Sequence, residues 1–383
     1  MDIKTIAHEI QSETIALRRE LHRHPEPSLE EHWTTERLIK EIEVLGLPYR
    51  KLSPTGLIAE LQGGKPGRTV GLRADIDALS ITENTGLPFS SEVPGVMHAC
   101  GHDTHAAMLV GAAKVLCRVR GELCGSVRFI FQPAEEGGGG AEKVIDQGGL
   151  EGLDYLFGQH IYSQQRSGTI GWTKGAGTAA AGTFIIKVIG DACHGALPET
   201  GVDATVAAAA IVMALQTIVS RELSALDPAV VTVGKLCSGT RKNIVSGYAE
   251  IEGTMRSFDP KVHAHIRDSI ERIARQTAAA YRCEIDFHYH DSAKVLLNNP
   301  EAAEIACRAA QKVAAAPDDV FVMEKQLVSE DFADYTPYVK AAFVLLGGGG
   351  EYPPHSDQFA VDEASFETGV AFLAQAAVEA LNA

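Results

Sequence analysis

No run of about 18 consecutive apolar residues occurs in the 383-residue chain, so the sequence predicts no membrane-spanning helix. The N-terminal stretch MDIKTIAHEIQSETIALRRELHRHPEPSLEE lacks the apolar core of a secretory signal. It sets Ile6, Ile10, Ile15 and Leu21 among charges instead, the pattern of an amphipathic helix. Basic charge is in deficit: 34 Lys and Arg stand against 50 Asp and Glu, a net charge of −16 that argues against nucleic acid as a partner. A disulfide framework is missing too. Seven cysteines are an odd number without regular spacing, which predicts free thiols and a cytoplasmic, reducing location. Low-complexity tails and internal repeats are absent. What remains, 45% hydrophobic and 22% charged, has the composition of a globular protein. At this length two domains are expected rather than one core.

Short apolar runs alternate with helical patterns in the first half. Strands are predicted at 55–63, 69–77, 125–133 and 153–161, with helices at 103–119 and 141–149. Asp103 stands where a helix N-cap is expected. This alternation implies an α/β layer with a largely parallel sheet. The pattern then shifts to strand 182–192, helix 201–223, strands 228–239 and 247–258, helix 260–281 and strand 282–290. The order β-α-β-β-α-β predicts a small antiparallel sheet with two helices on one face, a ferredoxin-like α+β unit. The expected architecture is a discontinuous α/β domain, residues 1–177 and 292–383, interrupted by an inserted domain at 178–291.

Residues able to hold metals gather near predicted strand ends. Met97 opens the stretch MHACGHDTHAAMLVGAA, in which Cys100 and His102 lie two apart just ahead of a helix. In a loop, such a pair can turn toward one ion; inside a helix the two side chains would diverge. Asp103 and His105 suit either a supporting shell or the helix start. In FQPAEEGGGG, Glu135 and Glu136 follow a buried strand, where open α/β sheets place their ligands. One carboxylate can bind a metal while its neighbour accepts a proton from water. His160 ends the strand LFGQHIY, and His355 follows two prolines in GGGGEYPPHSDQF. Each residue alone also suits a structural role, and a lone histidine at a strand end such as His160 is more often structural than a ligand. As a set, Cys100, His102, Glu136, His160 and His355 suit a pair of transition-metal ions better than one tetrahedral site.

These motifs, with LRRELHRHPEPSLEE, GLRADIDALSI, NIVSGYAEIEGTMRSF and SEDFADY, run in order along nearly the whole chain. The sequence resembles the M20 metallopeptidase family, and within it the amidohydrolases related to hippurate hydrolase, aminoacylases and plant auxin-conjugate hydrolases. The resemblance implies hydrolysis of N-acyl amino acids or short peptides by a pair of divalent ions, Mn, Zn, Co or Ni. It implies Cys100 as bridging ligand, His102, Glu136, His160 and His355 as the other ligands, and Glu135 as general base. Asp75 and Asp77 match a segment near the metals. It further implies that the inserted domain is a lid that forms a homodimer, with His194 reaching the substrate carbonyl and Asn243 and Arg256 binding substrate. An arginine can hold a carboxylate with two parallel hydrogen bonds. Cys193, Glu199 and Ala204 depart from the family pattern around His194, which affects substrate contacts and leaves the metal set intact. Three other readings of the motifs stay open at this stage: a dipeptidase or exopeptidase using the same site, a metal-binding protein without catalysis, and an amidase with Cys100 as nucleophile.

Overall fold

The computed structural model describes residues 2–137 and 139–383. Two compact units divide the chain. The first comprises Met1–Gly175, Leu297–Glu324 and Asp334–Ala383; the second comprises Ala176–Leu296 and Lys325–Ala333.

The first unit is built on an eight-stranded sheet. Its centre is four parallel strands in the order Cys124–Gln132, Lys65–Asp75, Tyr155–Tyr162, Lys340–Gly347. Antiparallel pairs flank this centre on both sides, through Leu57–Gln62 at one end and Ile170–Trp172 at the other. From Lys65–Asp75 the chain steps to one neighbour, Cys124–Gln132, and returns to the other side at Tyr155–Tyr162. Open α/β sheets bind ligands at the carboxyl ends of strands where the order reverses in this way. The central strands are continuous apolar runs because helices cover them. The helix His102–Arg118 is apolar nearly all round and correspondingly buried. It packs against the C-terminal helix Ser365–Leu381 and the helix Gln11–Arg23.

Three local expectations change. The N-terminal amphipathic segment forms two helices, Ile3–Glu9 and Gln11–Arg23, broken at the buried Ile10. Asp103 does not cap the helix that follows. Gly101 occupies the cap, and the Asp103 side chain is wholly buried, accepting from Arg18 Nε at 2.8 Å and pairing with His22 Nδ1 at 2.7 Å. Burial opposes the charge on Asp103, but the Arg18 guanidinium and His22 outweigh it and hold the carboxyl far below its usual range. The third concerns length and hydropathy. Segment Ala204–Glu222 has 19 residues with a mean hydropathy of 1.6, enough by length and composition to cross a membrane. It lies in the second unit, where Ala204, Ala207, Ala208, Ile211 and Leu215 are buried in that unit's core.

The second unit has a four-stranded antiparallel sheet in the order Ala229–Ser238, Tyr248–Ser257, Ala180–Ile189, Glu284–Ala293. Helices Ala204–Leu215 and Pro260–Ala280 pack on it over Phe184, Ile186, Val188 and Ile251. Asp203 caps the first helix through the N–H groups of Thr205 and Val206. Residues 325–333, which the sequence pattern leaves with the first domain, cluster here. Gln326 exchanges backbone hydrogen bonds with Gly177 and Ala179, which ties the segment to the start of this unit.

The Arg18–His22–Asp103 cluster generates a stability prediction. Asp103→Ala takes the nearer carboxylate from the buried Arg18 guanidinium, leaving it Glu363 at 3.5 Å, and should cost about 3 kcal/mol. Urea unfolding of the variant beside the native protein measures the difference.

Candidate metal centre

The carboxyl ends of the central strands converge on one place. Strand Lys65–Asp75 delivers Asp75 and, two residues on, Asp77. Cys124–Gln132 leads into Glu135 and Glu136. Tyr155–Tyr162 carries His160 near its end, and Lys340–Gly347 leads into the loop that bears His355. The helix His102–Arg118 starts beneath them.

Cys100 and His102 meet because of the residue between them. Gly101 has φ 88°, a left-handed conformation natural to glycine, and a Cβ there would lie 2.6 Å from Ile161 Cγ2. The chain therefore turns sharply at the helix entrance, and Cys100 leaves the helical path before its side chain can diverge from that of His102. The His355 loop is fixed by its backbone: His355 N–H donates to the carbonyl of Ala99 at 2.8 Å. His355 and Ala134, the residue ahead of the glutamate pair, are both non-glycine residues at positive φ, 67° and 53°. Strain of this kind clusters at functional sites. In the glycine run, Gly139 is left-handed and Gly140 leaves no room for a Cβ against Pro133; Gly138 lies outside the described residues.

Buried carboxylates set the histidine tautomers. His102 Nδ1 donates to Asp77 Oδ1 at 3.0 Å, which leaves Nε2 as the nitrogen facing the centre. That Nε2 is buried and has no hydrogen-bond partner among the described residues. His105 lies one helical turn on, on the same face. Its Nε2 accepts from Ile161 N–H at 2.8 Å, which leaves Nδ1 to donate to Asp75 Oδ1 at 2.5 Å. Burial lowers His105 to about 4, consistent with this neutral form. The carbonyl of Ile161 in turn accepts from His160 Nδ1 at 2.7 Å, turning the His160 Nε2 lone pair to within 3.3 Å of Cys100 Sγ. Asp75 is held by Arg73 at 2.7 Å, and Asp77 also accepts from Ser28 Oγ at 2.7 Å and Glu136 N–H at 3.0 Å.

The ligand atoms fall into two groups that share one member. Cys100, His102 and His160 form one; Cys100, Glu136 and His355 form the other, and in each the ligand atoms lie within 4.8 Å of one another. Glu135 groups with His102 and Glu136 on the same criterion. His355 Nε2 approaches Glu136 Oε1 at 3.2 Å.

Electrostatically the cluster is a sink for positive charge. Burial opposes ionisation of Asp75, but His102, Arg73 and His105 outweigh it and hold its carboxyl well below the usual range. Burial likewise opposes a charged His102, yet Asp75 raises it well above an ordinary histidine. The hydrogen bond to Glu136 raises His355. Burial pushes the Cys100 thiol well above its usual value, a penalty that a nearby cation reverses by stabilising the thiolate. An orphaned buried imidazole nitrogen, a thiol, a carboxylate and two further imidazoles fit divalent transition metals, and the shared thiol fits two of them. Asp75, His102 and His105 form a further ligand-type group, in which Asp75 already bonds His105 and so supports rather than completes the centre.

All five sequence-predicted ligands and Glu135 thus come together in the first unit. The other three candidates lie in the second. His194 and Asn243 are exposed neighbours: Ile244 pairs with His194 across a short antiparallel ladder, and Gly195 N–H donates to the Asn243 carbonyl at 2.8 Å. Arg256 stands on strand Tyr248–Ser257, half-buried, with its guanidinium donating to the Met255 carbonyl at 3.0 Å. Asp75, Asp77 and His105 have supporting roles that motif spacing left open. The signal for them was the pair of aspartates at a strand end and the three-residue step from His102 to His105.

A family model described as Peptidase family M20/M25/M40 matches residues 71–379. The N-acetyl-L-cysteine deacetylase of Bacillus subtilis (strain 168) is 37% identical over 374 residues, 97% of this chain and 89% of that one. The N-acyl-L-amino acid amidohydrolase of Geobacillus stearothermophilus is 39% identical over 302 residues, 78% of this chain and 82% of that one. Among solved structures, the YXEP protein of Bacillus subtilis, described as a dinuclear metal binding peptidase of the M20 family, superposes with a TM-score of 0.86 at 34% identity, covering 98% of this chain and 99% of that one. With the family model spanning most of its length and a dinuclear relative sharing its fold, the chain belongs to peptidase family M20/M25/M40.

Proposed function

We propose that the protein is a metal-dependent amidohydrolase that cleaves N-acyl amino acids into a carboxylic acid and a free amino acid. The observation that carries this reading is the sharing of Cys100 between two ligand groups with Glu135 beside them. In the assignment we favour, His102 and His160 would hold one divalent ion and Glu136 and His355 the other, with Cys100 available to both. When bound, such ions polarise an acyl carbonyl and make water more acidic.

The chain's own residues supply the rest. Glu135 takes a proton from the attacking water and returns it to the leaving amine, so that one carboxyl serves as base and then acid. Asp77 holds His102, and the Asp75–His105–Ile161 relay holds His160, so both rings are already oriented and would need little reorganisation to take up an ion. In the second unit, which we read as a ferredoxin-like lid forming a homodimer, Arg256 presents a two-pronged donor for the substrate carboxylate. His194 donates to the carbonyl oxygen as it gains charge, and Asn243 binds substrate. The mixed sulfur, nitrogen and oxygen ligands suit Mn, Zn, Co or Ni. Seven free thiols support a cytoplasmic location.

Glu135→Gln should lower kcat by about 100-fold or more while elemental analysis still finds two metals per chain. Near-native turnover in that variant removes Glu135 as the base. Chelation should abolish release of amino acid from an N-acyl amino acid panel, and added Mn, Zn, Co or Ni should restore it. Activity that survives chelation but is lost to an alkylating reagent moves Cys100 to the nucleophile's role. Faster turnover of a dipeptide than of any panel member reassigns the site to an exopeptidase.

A further inference from the structure

The turn that carries the two glutamates begins at a residue held against its preference. Ala134 sits at φ 53°, where a side chain's Cβ crowds the backbone and only glycine goes freely. Its N–H donates to Glu31 Oε1 at 2.8 Å. Glu31 is fully buried, and its other oxygen accepts from Thr55 Oγ1 at 2.5 Å. Although Glu31 heads the helix His32–Val44, its side chain makes no capping bond. Glu26 does that work, accepting from the N–H groups of Trp33 and Thr34 at 2.9 and 2.8 Å. The Glu31 carboxylate is thereby left to serve an amide 103 residues away in sequence. On the far side of Glu135, the N–H of Glu136 donates to Asp77 Oδ2 at 3.0 Å. Buried carboxylates from two separate elements thus grip the backbone immediately before and after Glu135.

We propose that Glu31 is a positioning residue for the reaction: it holds Ala134 in the left-handed conformation and so aims Glu135 and Glu136. The inference rests on the reading of Glu135 as base and Glu136 as ligand. Without its acceptor, the Ala134 amide loses the buried hydrogen bond that offsets its positive φ, and the contact that remains to the turn is its carbonyl accepting from Gly140 N–H at 3.1 Å. Relaxation there rotates the peptide that precedes both carboxylates. Chemistry between positioned groups is steep in distance, and a displacement of about 1 Å lowers rate on the order of 100-fold.

Glu31→Leu removes the acceptor at similar volume. It should lower kcat on the order of 100-fold with KM within about twofold, and lower the metal content found by elemental analysis. Ala134→Gly in the Glu31→Leu background should recover at least about tenfold of that loss, because glycine enters positive φ without steric cost. Glu31→Gln keeps an oxygen for Ala134 and can donate to Thr55 instead, and should stay within about threefold of native kcat. A merely structural role for Glu31 lowers thermal stability without rescue by Ala134→Gly. Native kcat in Glu31→Leu, or a folded Glu31→Leu that Ala134→Gly leaves unrescued, overturns the proposal. Should Glu31→Leu not fold, Ala134→Val in the native background decides: a branched side chain at positive φ should lose kcat in the same way, and native kcat there overturns it. Failure of the base assignment reads differently. Glu135→Gln that stays active while the rescue holds removes Glu135 as base and leaves Glu31 as the residue that aims Glu136.

Discussion

The left-handed turn at Gly101 is the constraint on which the centre depends. Cys100 and His102 alternate in sequence, and continuous helix would splay them apart. One residue at positive φ, with Ile161 filling the space a Cβ would need, lets the thiol leave the helical path and the imidazole enter it. Because Cys100 belongs to both ligand groups, neither group exists without that turn. The helix that follows is buried along nearly its whole length, so the turn is anchored to the core of the first unit rather than to a loop.

Around this point the chain places an unusual density of buried charge. Asp75, Asp77, Asp103, Arg18 and Arg73 are all at most 1% exposed. Taking such groups out of water is expensive, and each is matched by a partner within hydrogen-bond distance. The matching is directional. Asp77 and the Asp75–His105–Ile161 relay each turn an imidazole nitrogen toward the centre, while Asp103 and Arg18 form a separate pair that binds the helix start to the helix Gln11–Arg23. One network arranges ligands and the other fixes the element that carries them.

Strain is the third ingredient. Ala134 and His355 lie in the loops after two central strands, and both accept a conformation that alanine and histidine disfavour. Each is held by a backbone hydrogen bond to a distant segment, from Ala134 N–H to Glu31 and from His355 N–H to Ala99. His194, by contrast, is exposed and set on a two-residue ladder, and among the described residues the positive-φ non-glycine positions do not include it. Precise aim is therefore concentrated at the strand ends of the first unit.

Much of this was legible in the sequence, because the information was local. Strand and helix periods, the break in style near residue 178 and the ligand types at strand ends are properties of short windows. What windows do not carry is which distant groups meet. Asp103 has the composition of a cap, and only tertiary packing brings Arg18 and His22 to it, turning a surface role into a buried one. Gln326 reads as part of the closing α/β segment, yet backbone pairing with Gly177 and Ala179 draws it into the second unit. The hydropathy of Ala204–Glu222 matches a membrane span, and only the tertiary structure shows that one face of it, Ala204, Ala207, Ala208, Ile211 and Leu215, packs into the second unit's core. The sequence by itself determined which ligand-type residues stand near the strand ends, and the order of elements. Tertiary structure decided the tautomers, the sharing of Cys100 and the grip of Glu31 on Ala134, since each depends on a contact between residues far apart in the chain.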